Sequence, residues 1–165
     1  VLGCIMWIWF EAVFCTAILV FLMVWLVLLP TAYLANGTDL GLLSFLPLNA
    51  HNLNVVFMGT EMLFNRLAFV PSHVIFAMFY GLVYVVFSWF YFLFDSHHRF
   101  WYFFLDWRLR ATPIWYTILI AIIWAAFALG QKLVSRAKAH VATELPGSAR
   151  EAWPAAAEAA PALPA

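Results

Sequence analysis

Charged residues are scarce in this chain, which carries eight Lys and Arg and eight Asp and Glu among 165 residues. The balance leaves no basic surplus, so nucleic acid is not an expected partner. The two cysteines, Cys4 and Cys15, are separated by about 16 Å along one predicted helix and cannot form a disulfide with each other. Glycine-rich phosphate loops, GxSxG elbows and CxxC pairs are absent from the sequence, so the chain lacks the usual signatures of phosphate, hydrolase and redox sites.

Hydrophobic residues are what the chain has in excess: they make up 67% of it, and aromatic residues make up 19%. Such a composition predicts an integral membrane protein of the all-α class, a polytopic bundle of about four transmembrane helices surrounded by membrane lipids. Val1 is not an initiator methionine, and no signal peptide follows it, so we expect the sequence to begin after processing or after further residues.

Hydrophobic runs and turn residues divide residues 1–134, the predicted transmembrane region, into four helices. The predicted helices are Val1–Leu29, closed by Pro30; about Asn49–Ala68, with Asn49 as N-cap; Ser72 to about Phe94; and Pro113 to about Gly130. The segment 95–110 mixes charge with aromatic residues, which is typical of the headgroup level. Four spans put both ends on one side, and the count of Lys and Arg weakly favours the cytosol-like side.

A polar stripe marks the second helix within Leu48–Arg66. His51, Asn54, Glu61 and Asn65 fall on one helical face, within roughly 80° of one another. Because an ionisable group is costly at bilayer depth, we expect this stripe to face other helices or a wet cavity. It is either a functional site or a set of hydrogen bonds that holds helices together.

A second stripe, on the third helix, contains His73, Tyr80, Tyr84, Ser88 and Tyr91. We expect the two stripes to meet, with Glu61 or Asn65 in hydrogen-bonding reach of a tyrosine or Ser88, and the small residues Ala77 and Gly81 permitting close approach. The interface is either a packed aromatic contact or a substrate-lining wall. On the first helix, Glu11 shares a face with Trp7 and Cys15, so it points into the bundle or lies near the membrane surface.

The histidines do not predict a metal site. His97 and His98 lie near Asp95, but no local spacing supplies the three or four ligands that zinc needs. We predict no cofactor other than bound lipid, with a pigment or haem ligated by His51 or His97 as the alternative.

The composition changes in residues 135–165, where Ala, Pro and Glu dominate. This segment is predicted to be an extended tail that becomes ordered only on another membrane subunit. Trp153, its only large aromatic residue, is the expected partner-binding residue.

Four sequence pieces occur in order between Ile8 and Ser135: LNAHNLN opening a span, a Glu ten residues after its His and an Arg five later, a tyrosine-rich span, and WYFFLDW before the last span. In this order they resemble the androgen-induced and rolling-stone family of polytopic membrane proteins. The resemblance implies six-span proteins, some of them lipid-ester hydrolases with an intramembrane threonine nucleophile and a histidine base. His51 matches the histidine, whereas Thr16 and Thr60 do not match the threonine, which in the family belongs to a span upstream of this sequence.

A histidine without its nucleophile is not an acyl-transfer site, so either upstream spans are missing or this is the scaffold without the reaction. We therefore predict an accessory or structural subunit of a larger membrane complex, such as a photosynthetic or respiratory energy-transducing assembly, and lean against an enzyme. The alternative is an intramembrane lipid-ester hydrolase with His51 as base, Asn54 orienting it, and a Thr nucleophile outside the sequence.

Overall fold

The computed structural model describes residues 2–65 and 67–144, with side-chain surroundings as far as residue 137. Within those ranges it contains four helices and no strand, which confirms the predicted all-α bundle. Three helices are long and apolar enough to cross a membrane: Leu2–Asn36, Pro71–Phe94 and Thr112–Ala137. The predicted tail beyond Glu144, with Trp153, lies outside the described residues.

Helix α1 (Leu2–Asn36) continues past Pro30, where the sequence predicted its end. The segment Val24–Leu28 forms a π-helical turn, in which the Leu29 N–H bonds to the carbonyl of Val24. This wider turn makes room for the proline ring, which in a regular helix clashes with the carbonyl four residues earlier. The helix ends instead at Gly37, whose φ of 69° suits glycine.

Helix α2 comprises residues 45–64, with a π-helical turn at Asn49–Leu53. It begins before the predicted N-cap Asn49 and ends before Ala68, because Asn65 has extended backbone. It is not among the three helices apolar enough to cross a membrane, since the residues of its polar stripe lower its hydropathy. Of the four predicted spans, three are therefore helices that could cross a membrane, and the fourth is this more polar helix.

Helix α3 (Pro71–Phe94) opens with a 3₁₀ turn and closely matches its predicted bounds. Helix α4 (Thr112–Glu144) runs well past Gly130, its predicted end. Residues 135–144 are therefore helical and not an extended tail. The prolines that the prediction relied on begin only at Pro146, and the residues before it, rich in Ala, Lys and Arg, favour a helix.

Helix α1 lies at the centre of the bundle and packs against the other three helices. At one end, the first third of α1 meets the 67–73 connection and residues 123–134 of α4. Four aromatic rings form the core there, with Phe69 edge-on to Phe10, Phe14 and Phe127. Gly130 of α4 lies directly against Phe69, where a Cβ would come within 2.6 Å of the ring.

Candidate functional site

Glu11 is the most deeply buried side chain among the described acidic, basic and histidine residues, with 1% of its surface exposed. Its Oε2 lies 2.6 Å from Nδ1 of His73, and its Oε1 accepts a hydrogen bond of 2.7 Å from the Val70 N–H. The backbone before Pro71 is extended and the chain then turns at once into α3. This sharp entry brings Val70 and His73 to the same carboxylate.

Aromatic rings enclose the Glu11–His73 pair. Trp7 and Phe76 stand edge-on to the imidazole, and the Trp7 indole N–H donates to the Ala68 carbonyl at 2.5 Å. Both carboxylate oxygens are engaged and the side chain is almost fully buried, so the pair fixes the α2–α3 connection onto α1 and is closed to a substrate.

Sequence reasoning found only half of this pair. It predicted that Glu11 points into the bundle or lies near the surface, and the structure buries it. It assigned His73 to the tyrosine stripe of α3, whereas His73 turns toward α1. A lone acid on an otherwise apolar helix requires a partner, and that was the signal available for finding His73.

The two polar stripes do not meet, and the prediction that they pack together is wrong. Helix α1 stands between α2 and α3, which share no extensive interface. The close approach at Gly81 is made by Ile123 of α4, not by α2. The predicted contact failed because the longest apolar helix, α1, takes the central position.

The predicted polar cluster is dispersed accordingly. Glu61 is exposed, and its carboxylate has no hydrogen bond or ion pair with any described residue. Asn65 accepts a bond from the Leu67 N–H, and its buried Nδ2 has no described partner. Tyr84 is exposed beside Phe87, while Ser88 is buried and donates to the carbonyl three residues earlier in its own helix.

His51 and Asn54, the predicted base and its orienting residue, do not bond to each other. His51 is half-buried in the π-helical turn of α2, and Asn54 is exposed. The Asn54 Nδ2 donates to the Ala50 carbonyl at 2.5 Å, which leaves its Oδ1 and its second N–H open. The predicted orienting role of Asn54 is therefore not supported.

Tyr80 and Asn54 instead face one groove from opposite sides. Its floor is α1 and its walls are α2 and α3, and its volume is about 230 Å³. Its lining is mainly apolar and includes three polar side chains, those of Thr16, Asn54 and Tyr80. The apolar lining residues are Val13, Ala17, Val20, Phe57 and Met58. The Thr16 hydroxyl donates to the Ala12 carbonyl, so its oxygen remains available only as an acceptor.

The α3–α4 connection (residues 95–111) carries an exposed ion pair. Arg108 binds both carboxylate oxygens of Asp106, at 2.8 and 2.7 Å, and its guanidinium lies over the rings of Phe92 and Phe100. Hydrogen bonding to Arg108 lowers the pKa of Asp106, and burial raises the pKa of Tyr102. Charge and aromatic rings are therefore clustered in this segment, and its position at headgroup level stays a prediction.

His97 and His98 are both exposed. Within residues 2–65 and 67–137, no three or more His, Cys, Asp or Glu side chains are grouped to hold a metal ion. Ligation of a pigment or haem by His51 or His97 stays a prediction.

Comparison of the chain with protein-family models, with curated proteins and with solved structures gives no significant match. The resemblance to the androgen-induced and rolling-stone family therefore stays a prediction that rests on the sequence pieces quoted above.

Proposed function

We propose that this chain is an accessory, structural subunit of a larger membrane protein complex, and that α2 contributes to its attachment. One observation carries the proposal: none of the residues 45–64 is buried, although this helix holds polar groups that have no partner in the described chain. The groups are the Asn54 Oδ1 and the Glu61 carboxylate.

The energetic argument concerns what covers these groups. An acid facing hydrocarbon costs about 3 kcal/mol at the centre of a membrane helix and less toward its end, where Glu61 lies. Lipid tails supply no hydrogen-bond donor to either residue. A neighbouring subunit that offers a donor removes the penalty, and the exposed Phe57, Leu63 and Phe64 supply contact area around it.

Co-purification of the full chain with its neighbours tests the proposal. In mild detergent, the tagged chain should migrate as part of a larger assembly with constant partner stoichiometry. Phe64→Ala should lower the amount of partner recovered, whereas Phe94→Ala should not. Phe94 is the matched control for Phe64, since each residue ends a helix and the two are 85% and 84% exposed.

Glu61 gives the sharper variant. Glu61→Leu should release the partner, while Glu61→Gln, which can still hydrogen bond, should retain part of it. The proposal would be contradicted if the wild-type chain, extracted from native membranes with mild detergent, is recovered as a single chain without a partner.

The segment beyond Glu144 is proposed as a second attachment, with Trp153 as its anchor. Truncation after Glu144 keeps all four helices, so it should release the partner without changing thermal unfolding of the bundle. Full partner stoichiometry in the truncated chain would show that the helices alone make the attachment.

The lipid-ester hydrolase remains the alternative proposal, and the groove is the observation that favours it. The groove contains two hydroxyl groups and an amide in an apolar lining, which suits a lipid. Against it, the Thr16 hydroxyl bonds to a carbonyl of its own helix and not to His51. A nucleophile paired with His51 would therefore have to come from outside the described residues.

A further inference from the structure

The groove between α2 and α3 has a floor with the spacing of a helix-packing seam. Val13, Thr16, Ala17 and Val20 follow the pattern i, i+3, i+4 and i+7 along α1. The two central residues are small, which lets a second helix backbone approach closely. Elsewhere along its length α1 packs against α4 and against the inner faces of α2 and α3.

The polar groups of the groove require a polar occupant. The Asn54 Oδ1, the Thr16 hydroxyl oxygen and the Tyr80 hydroxyl have no hydrogen bond from any described side chain. All three lie well inside their helices, away from the helix ends. An alkyl chain cannot bond to them, whereas a helix with one Asn, Gln, Ser or Thr can.

The size of the groove also fits side chains of a helix. A volume of about 230 Å³ accepts one or two side chains that project as knobs from a neighbouring helix. The rest of such a helix would lie over the α1 floor, between the walls made by Phe57 and Tyr80.

We propose that a single transmembrane helix of a partner subunit, carrying one amide or hydroxyl side chain at mid-depth, occupies this groove and hydrogen-bonds to Asn54, Thr16 and Tyr80. The inference rests on the proposed function, since it identifies the kind of segment by which the partner attaches.

Synthetic transmembrane peptides test this directly. The full chain is reconstituted in lipid nanodiscs with dye-labelled Ala/Leu peptides of about 20 residues that differ only in a central Asn or Leu. Energy transfer to a dye on the chain then measures binding. The Asn peptide should bind about three- to fifteen-fold more tightly than the Leu peptide, the range expected of one or two interhelical hydrogen bonds in a membrane.

Matched variants locate the contact. Asn54→Leu and Thr16→Val should each reduce the preference for the Asn peptide, and Val20→Trp should block both peptides by filling the groove. Thr117→Val is the control, because Thr117 makes the same bond to the carbonyl four residues earlier, but on the exposed face of α4. Unchanged thermal unfolding of each variant confirms that the bundle is intact.

The outcomes separate this inference from the proposed function. Equal binding of the two peptides, no binding, or a preference that survives Asn54→Leu would overturn the groove assignment. A phospholipid bound in the groove would also overturn the assignment. Native mass spectrometry would then find the phospholipid on the wild type but not on Val20→Trp, and the peptides would fail to displace it. If the native partner still co-purifies with Val20→Trp, the subunit proposal stands and the groove is not its attachment site; if wild type has no partner, the subunit proposal itself fails.

Discussion

The buried Glu11–His73 pair should be the most sensitive polar contact in the bundle. Replacing His73 with Phe keeps the ring volume among its aromatic neighbours but leaves the Glu11 carboxylate buried with only the Val70 N–H as partner. Removing one member of a buried ion pair costs about 3–5 kcal/mol. Hydrogen bonds between neutral side chains in membrane helices average only about 0.6 kcal/mol. The loss of unfolding free energy in His73→Phe therefore distinguishes a buried ion pair from an ordinary hydrogen bond.

The double variant Glu11→Leu with His73→Phe completes the test. It removes both polar groups, so it should be less destabilised than His73→Phe alone, retaining mainly the cost of the orphaned Val70 N–H, about 1–3 kcal/mol. Glu11→Gln should cost less than His73→Phe, because the amide oxygen still accepts from Val70 and its NH₂ can donate to the imidazole.

Reversible unfolding in mixed detergent micelles, followed by far-ultraviolet circular dichroism, measures these free energies. His97→Phe is the matched control; His97 is exposed, so its replacement should change the free energy of unfolding by less than about 0.5 kcal/mol. A His73→Phe variant as stable as this control, or a double variant at least as destabilised as His73→Phe, would refute the reasoning that the two residues act as one unit.

Three further predictions concern other parts of the chain. Gly130→Ala should destabilise the bundle by about 1–3 kcal/mol in the same assay, because the new Cβ meets the Phe69 ring. Gly59→Ala has open space around it and should be neutral or slightly stabilising. Equal effects of the two changes would contradict the close approach at Gly130. Because the pKa of Asp106 is lowered on folding, its ion pair with Arg108 stabilises the loop above the ordinary carboxyl pKa of 3.8 and is lost as pH falls through the lower folded value. Tryptophan fluorescence between pH 2 and 6 should show this transition, and its persistence in Asp106→Asn would assign it elsewhere. If the hydrolase alternative holds, His51→Ala should abolish ester turnover in membranes at unchanged protein abundance; equal turnover would exclude His51 as the base, and a fall in abundance alone would indicate a structural role.

Where the structure departs from the predicted helix bounds, the cause is local geometry that composition does not record. Pro30 was predicted to end α1, but the π-helical turn before it absorbs the ring. Helix α4 was predicted to end at about Gly130, whereas it continues to Glu144, and the next proline is Pro146. Helix α2 was predicted as a span from its length, while its polar residues leave it less apolar than the other three helices.

Sequence alone determined the class of fold, because apolar runs of about 20 residues can satisfy their backbone hydrogen bonds in a membrane only as helices. It also identified the polar groups that lie within apolar helices, since such groups stand out in a chain that is 67% hydrophobic. Which of those polar groups contact each other was decided by the tertiary structure. Helical periodicity places residues on a face but does not say which helix lies opposite, so Glu61 and the α3 tyrosines were expected to meet. The central position of α1 separates them, and it joins Glu11 to His73, two residues 62 positions apart in the chain.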